Sequence, residues 1–359
     1  MPGRKASLRL FAALIALAGL LAACTPRITV SPTPSIPTIQ AGVAGAEGAD
    51  AESPEDVAQP DRAVRFHGQI VLPWVDPAEY GGEIRLTTTP SVQALAATMA
   101  ERFQDEGFDG QISLEPGTAT VGVKTFCLLQ RADVLLMARP LTPAEKEKCT
   151  QNGRTPLELR VGLDAVVIIV AEANPFAEDL TPNELRQAFS TATTWQDLRP
   201  DWPPQPILRL SPSPESDTFA VFVQNILDGN AESLLNATRL TFTDDPKALM
   251  EQVAASPYAI GFLGFSPYQD NEGQVRALSL NHISPWQAGE DPAYPLLRPV
   301  MLYTTAQTLQ SQPQLAAFLN FFLMNIDEGL DDAGQFSLGT EELNQAKAAW
   351  LQALGYEVP

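Results

Sequence analysis

The chain is short of three things that catalysis and nucleic-acid binding commonly need. It has two histidines, His67 and His282, three cysteines, and 23 Lys and Arg against 43 Asp and Glu, a net charge of −20 over 359 residues. Two isolated histidines leave no HExxH pair and no Ser-His-Asp arrangement, and neither GxxxxGK nor GxSxG occurs. Carboxylates abound, but on so acidic a chain most are solvated. An exported phosphatase or hydrolase finds no metal-ligand cluster, so the chain reads as a non-enzyme with no cofactor. Scarce positive charge also excludes a nucleic-acid partner, whose phosphates are bound through clustered Lys and Arg, and an anionic membrane surface would repel it. An anionic ligand would need a local island of N–H groups, hydroxyls and one or two arginines within an unfavourable field.

Long apolar runs are also absent beyond the first residues. Arg4, Lys5 and Arg9 precede an apolar stretch from Leu10 to Leu21, too short for a transmembrane span and built like a signal peptide. Leu21-Ala22-Ala23-Cys24 resembles a lipobox, in which the thiol takes lipid and cleavage falls just before it. Residues 1–23 are therefore expected to be a lipoprotein signal peptide and Cys24 the lipidation site. Losing that leader moves the net charge from −20 to −23. From Thr25 onward Pro, Ala, Gly, Ser and acid dominate without apolar periodicity, so residues 24–80 are expected to form a disordered tether. A coil of that length spans on the order of 40 Å. The expected location is the cell envelope, anchored by lipid alone to the outer face of the cytoplasmic membrane, or to the outer membrane of a diderm cell.

Glu83 to Leu86 reads as a strand entering Thr87-Thr88-Thr89-Pro90-Ser91, after which Val92, Leu95, Ala96, Met99 and Phe103 recur at helical spacing with Ser91 as N-cap. Gln111 to Glu115 alternates like a strand, and Gly117 to Gly122 leads into a second helix. Such units place loops and helix N-termini at the carboxyl edge of a sheet, where free N–H groups favour anions. Thr142-Pro143-Ala144-Glu145 and Thr181-Pro182-Asn183-Glu184 are both capping boxes with Pro at N1. Ala165 to Val170 is a nearly continuous buried strand, and Tyr258 to Phe265 a Gly-punctuated one. Ser216 to Leu227 and Glu341 to Leu354 are further helices. With Cys24 given to lipid, Cys127 and Cys149 remain, either as two buried thiols or as a pair. Export favours a disulfide, worth roughly 3 kcal/mol on the chain-entropy model.

The stretches VGVKTFCLLQRADVLLMARPLTPAEKEKCTQNG, VGLDAVVIIVAEANPFAEDLTPNELRQAFS, TTWQDLRPDWPPQPILRLSPSPESDTFAVF, AIGFLGFSPY and YPLLRPVMLY resemble the PstS-type phosphate-binding proteins of ABC transporters. The resemblance runs from about Ile84 to Leu323. It implies an α/β, two-lobed type II periplasmic-binding-protein fold, each lobe a mixed sheet flanked by helices, joined by two crossover strands. The crossings are expected near Gly162 to Ile168 and Tyr258 to Phe265, giving lobe I as 81–165 and 263–359 and lobe II as 166–262. It further implies a monomer that holds phosphate or a similar oxyanion and hands it to ABC permease subunits. Matched position by position, the ligand-binding residues would be Thr89, Ser91, Thr120, Arg139, Ser216, Asp217 and Thr218. Departures fall in the same loops. Asp217 stands where relatives have glycine, Pro214 offers no N–H, and Pro90 and Ala119 replace hydroxyl-bearing residues. The alternative is a binding-protein scaffold serving as an envelope sensor or interaction protein with altered or lost ligand binding.

Overall fold

The computed structural model describes residues 62–269 and 273–359; the expected signal peptide, Cys24 and most of the tether lie outside the described residues. The tether expectation ends too late. β1 (Val64–Phe66) and β2 (Gln69–Val71) pair antiparallel, with Val64 opposite Val71. His67 and Gly68 make the turn, with φ of 47° and 84°, the positive pair that a two-residue hairpin of this twist requires. Ile70 and Leu72 enter the core. Asn344 clamps the hairpin, accepting from Ile70 N at 2.7 Å and donating to Gly68 O at 2.7 Å. Two buried apolar residues and one satisfied amide hold a segment whose composition alone looks like linker.

The main sheet has nine strands. β3 (Glu83–Thr88), β4 (Gln111–Pro116) and β5 (Val134–Met137) run parallel, with β3 between the other two. β6 (Leu157–Ala171) is the long central strand, and β7 (Asp179–Leu180) lies apart from the main sheet. β8 (Leu208–Ser211), β9 (Leu240–Phe242) and β10 (Ala259–Gly264) form the second parallel set. β11 (Val275–Ala277) pairs with the end of β6, β12 (Ser279–Leu280) pairs with β7, and β13 (Leu297–Thr304) lies between β5 and β6. The first half of β6, from Leu157 to Ala165, pairs with β13, and the second, from Val166 to Val170, with β10. One strand thus joins the two halves of the sheet.

Two hydrophobic cores follow. One contains Leu163 and Val300, the other Ala165 and Leu296, while Leu297 and Phe336 touch both. The chain therefore crosses once in β6, where Gly162 to Ile168 was expected, and once at the start of β13. Along Tyr258 to Phe265, where the second crossing is expected, Ile260, Phe262, Leu263 and Phe265 sit inside the second core. The second core takes in Leu296 as well. Gly261 in β10 lets helix Pro246–Ala254 lie close, since a Cβ there would meet Leu249 at 3.1 Å.

In β5, Val134 and Leu136 face the first core, while Leu135 and Met137 face a smaller one around the cysteines. α1 (Gln93–Asp105) packs on the first face through Leu95, Met99 and Phe103. α2 (Ala119–Val123), its continuation Lys124–Leu128 and α3 (Pro143–Gln151) supply the other. Cys127 and Cys149 are joined by a disulfide, with Cα atoms 4.5 Å apart. The capping boxes at Thr142/Glu145 and Thr181/Glu184 both form, the latter starting α4 (Pro182–Ala188). α5 (Asp217–Ile226) belongs to the second lobe, with Phe219 and Phe222 in its core.

Candidate functional site

The parallel strands bring their carboxyl ends to the cleft between the cores: Thr89 and Ser91 after β3, Thr118 after β4, Ala138 after β5, and Pro212 to Asp217 after β8. Ser91 is not the cap of α1. The N-cap of α1 is Val92, without a side-chain cap, and Ser91 lies inside a short 3-10 turn, Pro90–Val92, that Thr89 precedes. That leaves the Ser91 hydroxyl turned across the cleft.

What both hydroxyls meet there is Asp217. Its Oδ2 accepts from Thr89 Oγ1 at 2.7 Å, from Ser91 Oγ at 2.7 Å and from Ala138 N at 3.2 Å. All three donors belong to the first lobe, and the acceptor to the second. Ser216 is the N-cap of α5, its Oγ accepting from Thr218 N at 3.1 Å, so the Asp217 carboxylate also lies at the positive end of a ten-residue helix.

Beneath it sits Arg298, on β13. Nε and Nη2 donate to Asp164 Oδ2 at 2.9 and 2.6 Å, and Nη1 donates to Thr218 Oγ1 at 2.9 Å. Nη1 is also 3.7 Å from Asp217 Oδ1. These three charged side chains are almost completely removed from solvent. Burial pushes the Asp217 carboxyl up, but Arg298 and the donors Thr89, Ser91 and Ala138 N–H outweigh it and hold the group below the usual carboxylate range. Asp164 goes the other way, raised chiefly by burial.

Five of the seven expected site residues come together here: Thr89, Ser91, Ser216, Asp217 and Thr218. Two do not. Thr120 is exposed on α2, and Thr118, which caps that helix and accepts from Val121 N at 3.4 Å, lines the cleft in its place. Arg139 is engaged by Glu145, with both Nη atoms 2.8 Å from its carboxylate oxygens. The arginine that faces the site is Arg298. Sequence reasoning missed it and Asp164, although each is a charge inside an apolar strand, in LLRPVMLY and LDAVVIIV. Beside the carboxylate is a cavity of about 160 Å³, floored by Pro90, Ala119, Pro212 and Leu263. Among the described residues its charged lining groups are Asp217 and Asp244, both acidic. No group of three or more Asp, Glu, His or Cys among the described residues converges as a metal site.

Two α/β lobes on two crossover strands, with polar loops converging between them, define a bilobal binding protein. The chain belongs to the PBP superfamily: residues 52–325 match the family described as "PBP superfamily domain". It is 26% identical over 285 residues to protein SphX of Synechocystis sp., covering 76% of this chain and 84% of that one. Over 288 residues it is 24% identical to the phosphate-binding protein PstS of Staphylococcus saprophyticus, covering 78% and 88%. An ABC-type phosphate transport receptor from Vibrio cholerae superposes with a TM-score of 0.58 at 18% identity, over 71% of this chain and all of that one, a likeness of fold.

Proposed function

We propose that the protein is an extracytoplasmic solute-binding protein of a phosphate-type ABC importer, held at the envelope by lipid on Cys24. Its cleft would bind phosphate or a similar tetrahedral oxyanion between the lobes and pass it to permease subunits, with no covalent chemistry. The observation that carries this reading is the convergence of two hydroxyls and one backbone N–H, from the ends of two parallel strands, on a single anionic oxygen beside a buried arginine. Donors fixed in that geometry suit an anionic oxygen. PstS and SphX relatives support the same class.

Isothermal titration of the mature lipoprotein and of its D217G variant with phosphate, sulfate, molybdate and arsenate tests it. Binding of any of them in the cleft supports the reading; silence from both proteins with all four contradicts it. A second reading draws on Asp217 itself: a scaffold that keeps the lobes but serves as an envelope sensor. It expects no oxyanion binding by the wild type and no phosphate uptake defect on deletion. Radiolabelled palmitate incorporated by the wild type and lost in C24A checks the anchor.

A further inference from the structure

The oxyanion seat is already filled by the protein's own carboxylate. We infer that Asp217 is an internal ligand of this site: it occupies the position a solute oxygen would take, ties the two lobes together, and sets the solute affinity by competition. This rests on the reading of the cleft as an oxyanion seat.

The geometry supports it from three sides. First, the donors are engaged. Thr89 Oγ1, Ser91 Oγ and Ala138 N–H all point at Asp217 Oδ2, and a hydroxyl has one proton to donate. A solute oxygen at the same spot would have to displace the carboxylate. Second, the charge balance is against a second anion. Asp164 and Asp217 face one arginine, Arg298, so the buried cluster holds no cation in excess of its carboxyl groups; Arg139, nearby on the loop after β5, is paired with Glu145. Adding a phosphate to that cluster without removing Asp217 sets like charges together at low dielectric. Third, two positions of the second lobe's loop are lost as donors: Pro214 has no N–H, and Ser213 N is turned to Asp244 Oδ1 at 2.9 Å.

The same three bonds span the cleft, from first-lobe donors to a second-lobe acceptor. In a protein that closes around its ligand, a permanent ligand on one lobe holds the closed form without any solute. Asp217 is thereby a specificity-determining residue, discriminating against free oxyanions by occupying their place.

The test pairs phosphate titration with small-angle X-ray scattering on the mature lipoprotein and two variants. D217G removes the internal ligand and leaves the donors; T89V/S91A removes two donors and leaves Asp217. Both should enlarge the ligand-free radius of gyration. D217G alone should gain phosphate affinity, by about 100-fold or more over wild type, the worth of one to two charge-assisted hydrogen bonds. D217N, which keeps the size but loses the charge, should fall between. Wild type binding phosphate as tightly as D217G would overturn the inference and leave the oxyanion reading standing. Opening in both variants with no oxyanion bound by any protein would uphold the internal tie and overturn the oxyanion reading. No opening in either variant, with circular dichroism showing both folded, would overturn the inference.

Discussion

Two arginines are buried to the same degree in this molecule, and they do different things. Arg209, on β8 in the second lobe, donates to four backbone carbonyls, those of Ala188, Ile207, Ala192 and Thr238. Among the described residues no carboxylate pairs with it, and burial pushes its pKa down to about 10. Arg298, at the crossover, donates instead to Asp164 and Thr218 and faces Asp217. Burial of a guanidinium is thus no pointer to an anion site by itself. A carbonyl cage fastens neighbouring segments together, whereas a cation set between two carboxylates and a cleft tunes whatever enters the cleft.

Variants can break this contrast. R298A should have the largest effect, since it strands Asp164 and Asp217 together without a buried counter-charge; a loss of about 3–5 kcal/mol is expected in denaturant unfolding. Opening the pair C127A/C149A should cost about 3 kcal/mol, because the bridge closes a loop with a sequence separation of 22. R209M should cost about 2 kcal/mol through carbonyls left without donors. The contrast lies in the accompanying scattering: R298A disturbs the cleft, while the disulfide and Arg209 variants leave its closure unchanged. Equal effects of R298A and R209M on closure would erase the distinction.

The smallest expected effect is on the acid limb. Burial raises and Arg298 with three hydrogen bonds lowers Asp217, the net being a depressed pKa; Asp133, buried against Arg85 and Gln312, and Glu145, buried against Arg139, are depressed likewise. A carboxyl held low when folded contributes stability that is full above about pH 5 and is lost as the pH falls below about 4. Asp164, raised by burial, contributes with the opposite sign. D217N should therefore show a shallower fall in stability between pH 5 and pH 3 than the wild type, by about 1 kcal/mol or less.

Most of the fold was legible because its signals are local. The capping boxes at Thr142 and Thr181 each lie within four residues, and the second half of β6 announces itself by the apolar run from Ala165 to Ala171. The hairpin at Val64 to Val71 was not legible, because its strands are three residues long and its stability comes from Asn344, more than 270 positions away. In sequence, Gly-punctuated β10 looks like a hinge, yet Gly261 serves close packing against Val253 and Leu249 inside the second core. At the site, hydroxyls flanking turns and helix starts could be read, as could the oddity of Asp217. Its partners could not. Arg298 and Asp164 are 134 positions apart, and only the folded sheet sets them side by side.

The most direct test is the scattering profile of the ligand-free wild-type lipoprotein, measured with and without millimolar phosphate. Asp217 tying the lobes predicts one compact profile under both conditions. An expanded profile that contracts when phosphate is added would contradict it, since the solute and not the protein's own carboxylate would then be closing the cleft.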